Sequence, residues 1–328
     1  MKKAIALLLA LVFVLSFAAC GEKGSEGYTA ENPLIIKLAD NQADGTPNVE
    51  GDRKFAELVA EYTEGAVVVE VHNNAVLGDE ASVADQLQAG TLDMARISTN
   101  GISPSCTAFN VFGLPYVFPS DEAKYAALDG EFGQKLTEVL KEETGMVNLT
   151  YFVSGARSFY TTKVPVYSVA DMAGLKLRAQ DDAVTIAMID ALGGAATPMN
   201  YSEVYSALET SIIDGAENDF VSYYTSGHYE VAPYYSLDMH TCPSSLLVMS
   251  GATWEKLGAD LQEKVMKAAA DASAFQRTTV EQKNAEARAA VEAAGCTIIE
   301  VDVAEFQNVC ASVHELYPEL GPYLELIG

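Results

Sequence analysis

The fold is decided by residues Gly174–Asn218, GLKLRAQDDAVTIAMIDALGGAATPMNYSEVYSALETSIIDGAEN. This stretch predicts a short strand ending in Arg178, a helix, a Gly-Gly-Ala turn, a second helix, and an Asp-Gly turn leading to Glu217 and Asn218. It contains no nucleophile–base pair, metal cluster or phosphate-binding loop. A guanidinium and an amide on such a frame suit the binding of a small carboxylate rather than a reaction with it.

Outward from this stretch, short apolar strands alternate with amphipathic helices, which predicts α/β layers. The predicted strands are Leu34–Ala39, Ala66–His72, Thr91–Ile97, Met146–Phe152, Ser158–Thr162, Leu175–Arg178 and Thr297–Val301. The predicted helices are Gly51–Thr63, Asp79–Ala89, Asp121–Leu128, Glu131–Glu142, Ala183–Leu192, Tyr201–Thr210 and Val303–Leu316. The apolar residues Val111–Phe118 are interrupted by Pro115 and predict the end of a strand and a loop.

Residues Trp254–Ala294 differ from the rest because they lack Gly and Pro for a long run after Gly258. They predict one helix, or two helices end to end. At about 1.5 Å per residue the longer helix would measure roughly 50 Å, enough to lie across two lobes. The alternative is an exposed helical hairpin.

The N-terminus has the pattern of an export signal. Lys2 and Lys3 precede the apolar run Ala4–Ala19, so residues 1–19 are predicted to be a signal peptide. The sequence FAAC, ending at Cys20, resembles a bacterial lipoprotein signal, in which that cysteine becomes lipidated. Residues 20–31 would then form a lipidated tether. An uncleaved anchor is the alternative.

The chain is strongly acidic, with a formal net charge of −26 over 328 residues. This charge argues against binding to nucleic acid and against electrostatic attachment to anionic lipid. No later run approaches the length of a membrane-spanning helix, so the mature chain is not a permease. Its length suffices for two domains with cores of their own.

The remaining cysteines are Cys106, Cys242, Cys296 and Cys310. An exported protein can form disulfides, but four cysteines allow three pairings, among which the sequence does not decide. Mostly buried thiols are favoured, and Cys296–Cys310 is the pairing to test first. No Cys or His spacing typical of a metal site is present, so neither a metal nor a cofactor is expected.

Several polar residues are candidates for ligand binding, each with an ordinary structural alternative. Arg178 ends a strand, where ligands of α/β sheets gather, although it could also form a surface salt bridge. Arg157 could be a solvated or interdomain arginine. Asn218, in the predicted turn, could serve a local backbone partner. Tyr201 could be an ordinary packing residue, and Glu80 could be an acidic residue that stabilises the start of a helix.

Asn41 follows the first strand and could be a plain loop residue. The chain has four scattered histidines, without the spacing of a metalloprotease or the order of a catalytic triad. Structural roles are favoured for them, and His240 is the one that could contribute to a site.

A set of motifs resembles one family along the chain from about Leu34 to the C-terminus. In order, the motifs are ADNQ (39–42), FAELV (55–59), LGDE (77–80), GTLDM (90–94), LPYVF (114–118), SGARSFYT (154–161), DMAGLKLRAQ (171–180), TPMNYSEVYSALET (197–210), IDGAEN (213–218) and HYEVAPYYSLDMHT (228–241). Together they resemble the DctP-type solute-binding proteins of TRAP (tripartite ATP-independent periplasmic) transporters.

The resemblance implies a two-lobed α/β fold of the periplasmic-binding-protein type (Venus flytrap), with a long helix across both lobes. The first lobe would comprise residues 32–154 and about 244–282, and the second lobe 155–243 and about 283–328. It also implies hinge closure on a ligand, partnership with membrane permease subunits, and a location outside the cytoplasmic membrane. We expect a monomer attached to the membrane by its lipid only.

The resemblance also implies roles for particular residues. Arg178 would pair with the ligand carboxylate, with Arg157 as a second arginine and Asn218 as a further contact. The remaining implied contacts are Asn41, Glu80, Ser98, Gln180 and Tyr201. Ser98 stands where the sialic-acid branch has an acid, which disfavours sialic acid.

Several motifs are similar to the branch that binds sugar acids such as glucuronate and galacturonate. Four positions depart from that branch, namely Asp182, Asp219, Met239 and Ser244. The similarity implies a uronate ligand, while the four departures leave another small monocarboxylate or a C4-dicarboxylate open. A sensor subunit and, as a different class, a secreted sugar-acid enzyme are the competing functions.

Overall fold

The computed structural model describes residues 27–327. The predicted signal peptide 1–19, the predicted lipidation site Cys20 and the first part of the tether lie outside the described residues. No helix within the described part of the chain is long and apolar enough to cross a membrane.

Strands and helices alternate through most of the described chain. The strands are β1 Leu34–Ala39, β2 Val67–His72, β3 Met94–Ser98, β4 Val147–Val153, β5 Arg157–Thr161, β6 Lys176–Ala179, β7 Ala195–Pro198, β8 Gly215–Asn218, β9 Tyr234–Thr241, β10 Ser244–Met249 and β11 Thr297–Ile299. The helices are α1 Pro47–Tyr62, α2 Glu80–Gln88, α3 Thr99–Ile102, α4 Asp121–Asp129, α5 Glu131–Thr144, α6 Ala183–Ala191, α7 Val204–Glu209, α8 Phe220–Thr225, α9 His228–Val231, α10 Gly251–Ala293, α11 Val303–Glu315 and α12 Gly321–Leu324. Short 3-10 turns occupy Thr107–Phe112, Val169–Met172, Tyr201–Glu203 and Pro318–Leu320.

The strands form two mixed sheets. The first sheet has the order β2-β1-β3-β10-β4, and the second has the order β11-β9-β5-β8-β6-β7. In the first sheet β10 runs antiparallel to both neighbours, and in the second β5 does so. The other pairs are parallel, as expected where helices connect successive strands.

The chain passes between the sheets three times, at two short segments and through the long helix α10, which leads from β10 to β11. The first crossover, residues 154–156, joins β4 to β5, and the second crossover, residues 242–243, joins β9 to β10. The predicted lobe boundaries, between residues 154 and 155 and between 243 and 244, fall at these crossovers.

The long helix α10 contacts α1 and β4, which belong to the part of the chain around the first sheet, and α8, which follows β8 of the second sheet. Gly258 interrupts it with φ 67° and ψ 166°, so the run divides into a short and a long helix, end to end. Gln276, fully buried in the long part, accepts a hydrogen bond from the Val153 amide (3.1 Å) and donates one to the Val153 carbonyl (2.7 Å). The long helix thereby fixes the end of β4, where the first crossover begins.

Two local predictions are wrong. Glu217 and Asn218 belong to strand β8 rather than to a turn, because β8 pairs with β5 on one side and β6 on the other. Gly215 permits this close pairing, since a Cβ there would lie 2.4 Å from the Tyr160 carbonyl oxygen. The predicted strand end within Val111–Phe118 is instead the end of a 3-10 turn and a loop, whose phenyl rings pack on one another.

The four cysteines of the described chain are free thiols, including Cys296 and Cys310. Cys106 and Cys310 are buried, and Cys242 and Cys296 are partly exposed. Mostly buried thiols were the favoured expectation, and the structure has no Cys296–Cys310 bridge.

Helix α1 carries a buried carboxyl group, that of Asp52, which is 0% exposed. Neither of its oxygens has a hydrogen-bond partner among the described residues, and the same holds for Oδ2 of Asp40. Burial, and then the negative charge of Asp40, raise the pKa of Asp52 well above its ordinary value. Ionised Asp52 therefore destabilises the folded state.

We expect Asp52→Asn to raise the melting temperature at pH 8, because the amide removes a buried charge and can donate to Asp40. A carboxyl with a raised pKa loses stability as pH rises, so the gain should shrink toward pH 4. Thermal unfolding at both pH values measures the effect, with the exposed Asp85→Asn as the control. A variant less stable than the wild type at pH 8 would contradict this account of Asp52.

Candidate ligand-binding site

A cleft with about 460 Å³ of empty space, part of it open to bulk solvent, lies between the two sheets. The first-sheet side contributes Asn41, Glu80 and Ser98 to its wall. The second-sheet side contributes the predicted residues Arg157, Arg178, Gln180, Tyr201 and Asn218. The structure thus brings together eight of the predicted site residues, and His240 is the exception.

Arg178 presents the one guanidinium of this wall that no described carboxylate neutralises. It lies near the end of β6, is 4% exposed, and donates through Nε and Nη2 to the Met199 carbonyl at 3.1 and 3.0 Å. Its Nη1 has no hydrogen-bond partner among the described residues, and its Cζ lies 5.8 Å from the centre of the Tyr201 ring. Burial lowers the pKa of Arg178; the charge of Glu217 partly offsets this, and the charge of Arg157 lowers the pKa further. An anion in the cavity would relieve both effects.

Arg157 lines the same wall, but its charge is already compensated. It forms an ion pair with Glu217, in which Nη2 donates to Oε1 at 2.7 Å, and its Nη1 donates to Asn218 Oδ1 at 2.6 Å. Burial alone would lower the pKa of Arg157, but Glu217 raises it more. Arg157 can therefore orient Asn218 and needs no further anion to balance its charge.

His240 lies behind Glu217, fully buried, and does not reach the cavity. Its Nδ1 is 2.7 Å from Asp238 Oδ2, because residues two apart on β9 point to the same face. Its Nε2 is 3.4 Å from Glu217 Oε2. The expectation that His240 itself contacts a ligand is therefore corrected to a supporting position behind the wall.

Four charged side chains lie in a row here, and neighbouring charges shift the pKa values of His240 and Glu217. Burial opposes charge on His240, but Asp238 and Glu217 raise its pKa to about 9. Burial would raise the pKa of Glu217, but Arg157 and His240 lower it to about 2. Asp238, His240, Glu217 and Arg157 thus alternate in sign, which makes burial of the two carboxylates and two cations tolerable.

On the first-sheet side, Glu80 is the central acceptor. Its Oε1 accepts from Arg96 Nη1 at 3.1 Å and from the Ser98 amide at 2.9 Å. Its Oε2 accepts from the Ser98 hydroxyl at 2.7 Å and from Gln180 Nε2 at 3.2 Å. Gln180 also donates to the Ser98 hydroxyl at 2.9 Å, so it connects the two sides of the cleft.

Arg96 is a wall residue that the sequence motifs did not single out. It is 2% exposed, forms an ion pair with Asp40, and also donates to Asn41 and Glu80. Burial would lower its pKa, but Asp40 raises it more. The sequence does contain a signal for Arg96: it is a charged residue inside the apolar strand β3, and a buried charge requires a partner.

The four departures from the uronate-binding branch occupy different places. Asp219 and Ser244 line the cavity, whereas Asp182 and Met239 do not. Asp219 caps α8 by accepting from the Ser222 amide at 2.7 Å. Asp182 caps α6 and accepts from Asn100 across the cleft at 3.3 Å. Met239 is 47% exposed.

Among the described residues no group of three or more Cys, His, Asp or Glu side chains is arranged to hold a metal ion.

Comparison with known proteins agrees with this architecture. The model of the DctP family, bacterial extracellular solute-binding protein family 7, matches residues 38–321. The chain belongs to this family. The family consists of solute-binding receptors that work outside the cytoplasm, so this protein is a receptor rather than an enzyme.

Individual relatives agree in sequence and in shape. A solute-binding protein of Chromohalobacter salexigens is 40% identical over 85% of this chain and 83% of the relative. A TRAP periplasmic solute-binding protein from Sulfitobacter sp. NAS-14.1, solved with bound β-D-galacturonate, is 33% identical, with a TM-score of 0.87 over 89% of this chain and 99% of that one. A structure from Chromohalobacter salexigens with bound D-glucuronate is 38% identical, with a TM-score of 0.85 over 89% and 98%. The two-lobed fold with a long spanning helix is therefore confirmed.

We expect His240 to make the stability of the fold pH-dependent on the alkaline side. Because the pKa of His240 is raised to about 9 from 6.5, its contribution is fully present below pH 6.5 and is lost as pH rises through 9. The loss should be about 3 kcal/mol for a shift of this size in a buried group.

Chemical denaturation between pH 6 and pH 10 checks this expectation. His240→Gln should remove most of this alkaline loss, whereas the same substitution at the partly exposed His72 should leave it. An equal alkaline loss in His240→Gln and in the wild type would rule out His240 as its source.

Proposed function

We propose that this protein is the extracytoplasmic receptor of a TRAP transporter, which binds a uronate-like sugar acid and delivers it to the permease. The observation that carries the proposal is the unequal compensation of the three arginines in the cavity wall. Arg96 is paired with Asp40 and Glu80, and Arg157 with Glu217, whereas Arg178 has only a carbonyl partner. A ligand carboxylate would complete the coordination of Arg178 through charge-assisted hydrogen bonds.

A single uncompensated cation favours a monoanion over a dicarboxylate. A second carboxylate in this cavity would approach Glu80 and Asp219, which are acceptors of the same sign. Uncharged side chains make up much of the remaining wall and can exchange hydrogen bonds with hydroxyl groups: Asn41, Ser98, Gln180, Tyr201 and Asn218.

The distribution of polar groups on both sides of the cleft separates a sugar acid from a smaller monocarboxylate. A short oxo or hydroxy acid held by Arg178 would leave the polar groups near Glu80 without ligand partners. A ring with several hydroxyls can occupy both sides of the cleft at once. The uronates bound in the similar structures have this character.

In this proposal the site residues have distinct roles. Arg178 pairs with the carboxylate, and the Tyr201 ring beside it limits the approach of water. Arg157 and Asn218 contact the sugar from the second lobe. Asn41, Glu80, Ser98 and Gln180 contact its hydroxyl groups, while His240 acts through Glu217.

The acidic surface does not prevent binding of an anion. Its field decays over about 8 Å at physiological salt, and local donors dominate inside the cleft. A micromolar affinity requires only about −8 kcal/mol. One charge-assisted pair and several neutral hydrogen bonds can supply this free energy if closure costs little.

The anchor and the assembly state are also part of the proposal. Lipidation at Cys20 after removal of residues 1–19 would hold a monomeric receptor at the membrane, with residues 20–31 as its tether. The lobes, 32–154 with about 244–282 and 155–243 with about 283–328, would close around the ligand by bending at the two crossovers. In the alternative function, the receptor would present its ligand to a signalling protein instead of the permease.

We expect Arg178→Ala to weaken uronate binding by about 100-fold or more, since it removes the charge-assisted pair. Isothermal titration calorimetry measures the affinity, and thermal unfolding checks that the fold persists. Arg277→Ala is the matched control, because Arg277 pairs with Asp129 away from the cavity. An Arg178→Ala affinity within a few-fold of the wild type would contradict the assigned role.

We expect glucuronate or galacturonate to raise the melting temperature of the soluble domain, because a ligand that binds only the folded state stabilises it. Succinate and pyruvate, at equal concentration, should give smaller shifts. A larger shift with succinate would overturn the monoanion argument. A larger shift with pyruvate would overturn the sugar-acid assignment.

A further inference from the structure

A fully buried lysine joins the two crossovers between the lobes. Lys124, on α4, is 0% exposed. Its Nζ donates to the Ser154 carbonyl in the first crossover at 3.0 Å and lies 2.6 Å from Cys242 Sγ in the second. Asp121 Oδ1, 2.9 Å away, pairs with its charge.

The separation between Lys124 and Cys242 is chemically informative. At 2.6 Å the nitrogen and sulfur are closer than is usual for an N–H···S hydrogen bond, yet farther apart than directly bonded atoms. A single oxygen atom bonded to both would span this gap. Packing holds the two groups together, so a reaction between them needs no encounter and little rearrangement.

We propose that Lys124 and Cys242 form an oxidative modification site, at which a peroxide converts the pair into a covalent N–O–S cross-link. The proposal concerns the hinge and is independent of the identity of the ligand. The partly exposed Cys242 gives a small oxidant access. Extracytoplasmic compartments are oxidising, which makes exposure to such oxidants ordinary.

The chemistry balances with hydrogen peroxide as the oxidant. The first peroxide transfers an oxygen to the Cys242 sulfur, forming the sulfenic acid S–OH and water. The Lys124 ammonium then loses a proton to solvent by way of the Asp121 carboxylate. A second peroxide removes one hydrogen from the amine nitrogen and one from the S–OH group. Its O–O bond breaks to give two waters, and the N–O bond forms.

The surroundings of Cys242 slow its oxidation but direct the product toward the cross-link. Burial raises the pKa of the Cys242 thiol, and the Lys124 charge only partly opposes this. The thiol should therefore react slowly, as expected where the thiolate fraction is small. Once the sulfenic acid forms, the adjacent amine nitrogen is in place to trap it before further oxidation.

Cys296 provides an internal control in the same chain. It is also partly exposed, but its sulfur contacts the Tyr223 hydroxyl and the Tyr229 carbonyl, each at 3.5 Å, and no described amine. Oxidation there can give sulfenic or sulfinic acid but no cross-link to lysine.

The cross-link would attach α4 to the second crossover. Because α4 already contacts the first crossover through Ser154, a covalent bond would couple both segments at which the lobes bend. It would also convert the buried ammonium into a neutral group.

Peptide mass spectrometry of the full-length protein treated with hydrogen peroxide tests the proposal. The expected product joins the peptides containing Lys124 and Cys242, with a net gain of one oxygen and loss of two hydrogens. Treatment with a thiol reductant should separate them, whereas sulfinic acid would persist. Cys242→Ser and Lys124→Arg should both lack this product.

Three results would overturn the proposal. One is oxidation of Cys242 to sulfinic acid with Lys124 unmodified, to the same extent as Cys296. Another is a joined product that has lost two hydrogens without gaining oxygen, which would indicate a direct S–N bond. The third is a disulfide between two chains through Cys242. The wild-type protein alone distinguishes these results, so they do not depend on whether the variants fold.

Discussion

The structure depends on how buried positive charge is compensated in an acidic protein. A buried cation is costly unless a partner of opposite sign and satisfied hydrogen bonds offset its loss of hydration. Arg96 and Arg157 have such partners within the fold, through Asp40 and Glu217. Arg178 has a carbonyl but no carboxylate among the described residues. The protein therefore supplies one negative charge too few around these three arginines, and a ligand carboxylate is the group that would add it.

The fold makes this arrangement possible because strand ends from both sheets meet at the cleft. Parallel strands place Ser98 and Arg178 near equivalent edges of their sheets, where the backbone turns and side chains can converge. Antiparallel β5 brings Arg157 beside Glu217 on β8. Behind it, β9 supplies Asp238 and His240, which fix the Glu217 carboxylate. Arg157 in the cavity wall is thus supported by a row of buried charges behind it.

The sequence predicts the local part of this arrangement and misses the part created by strand pairing. Arg178, Gln180 and Tyr201 lie in motifs with clear strand and helix signals, and all three line the cavity. The turn predicted at Asn218 fails, because Asp-Gly is a turn signal and the pairing of β8 with β5 and β6 is not local. Arg96 and the place of His240 behind the wall escape prediction for the same reason, since Asp40 and Glu217 reach them from other strands or their ends.

The cleft is already bridged by side-chain hydrogen bonds that a ligand must accommodate. Gln180 donates to Glu80 and Ser98, and Asn100 donates to Asp182 and Thr185. Such bonds contribute about 1 to 3 kcal/mol each, depending on whether the acceptor is charged. Asn100, Asp182 and Thr185 do not line the cavity, whereas Gln180, Glu80 and Ser98 do. A sugar hydroxyl can therefore replace the Gln180 contact while the outer bridge persists.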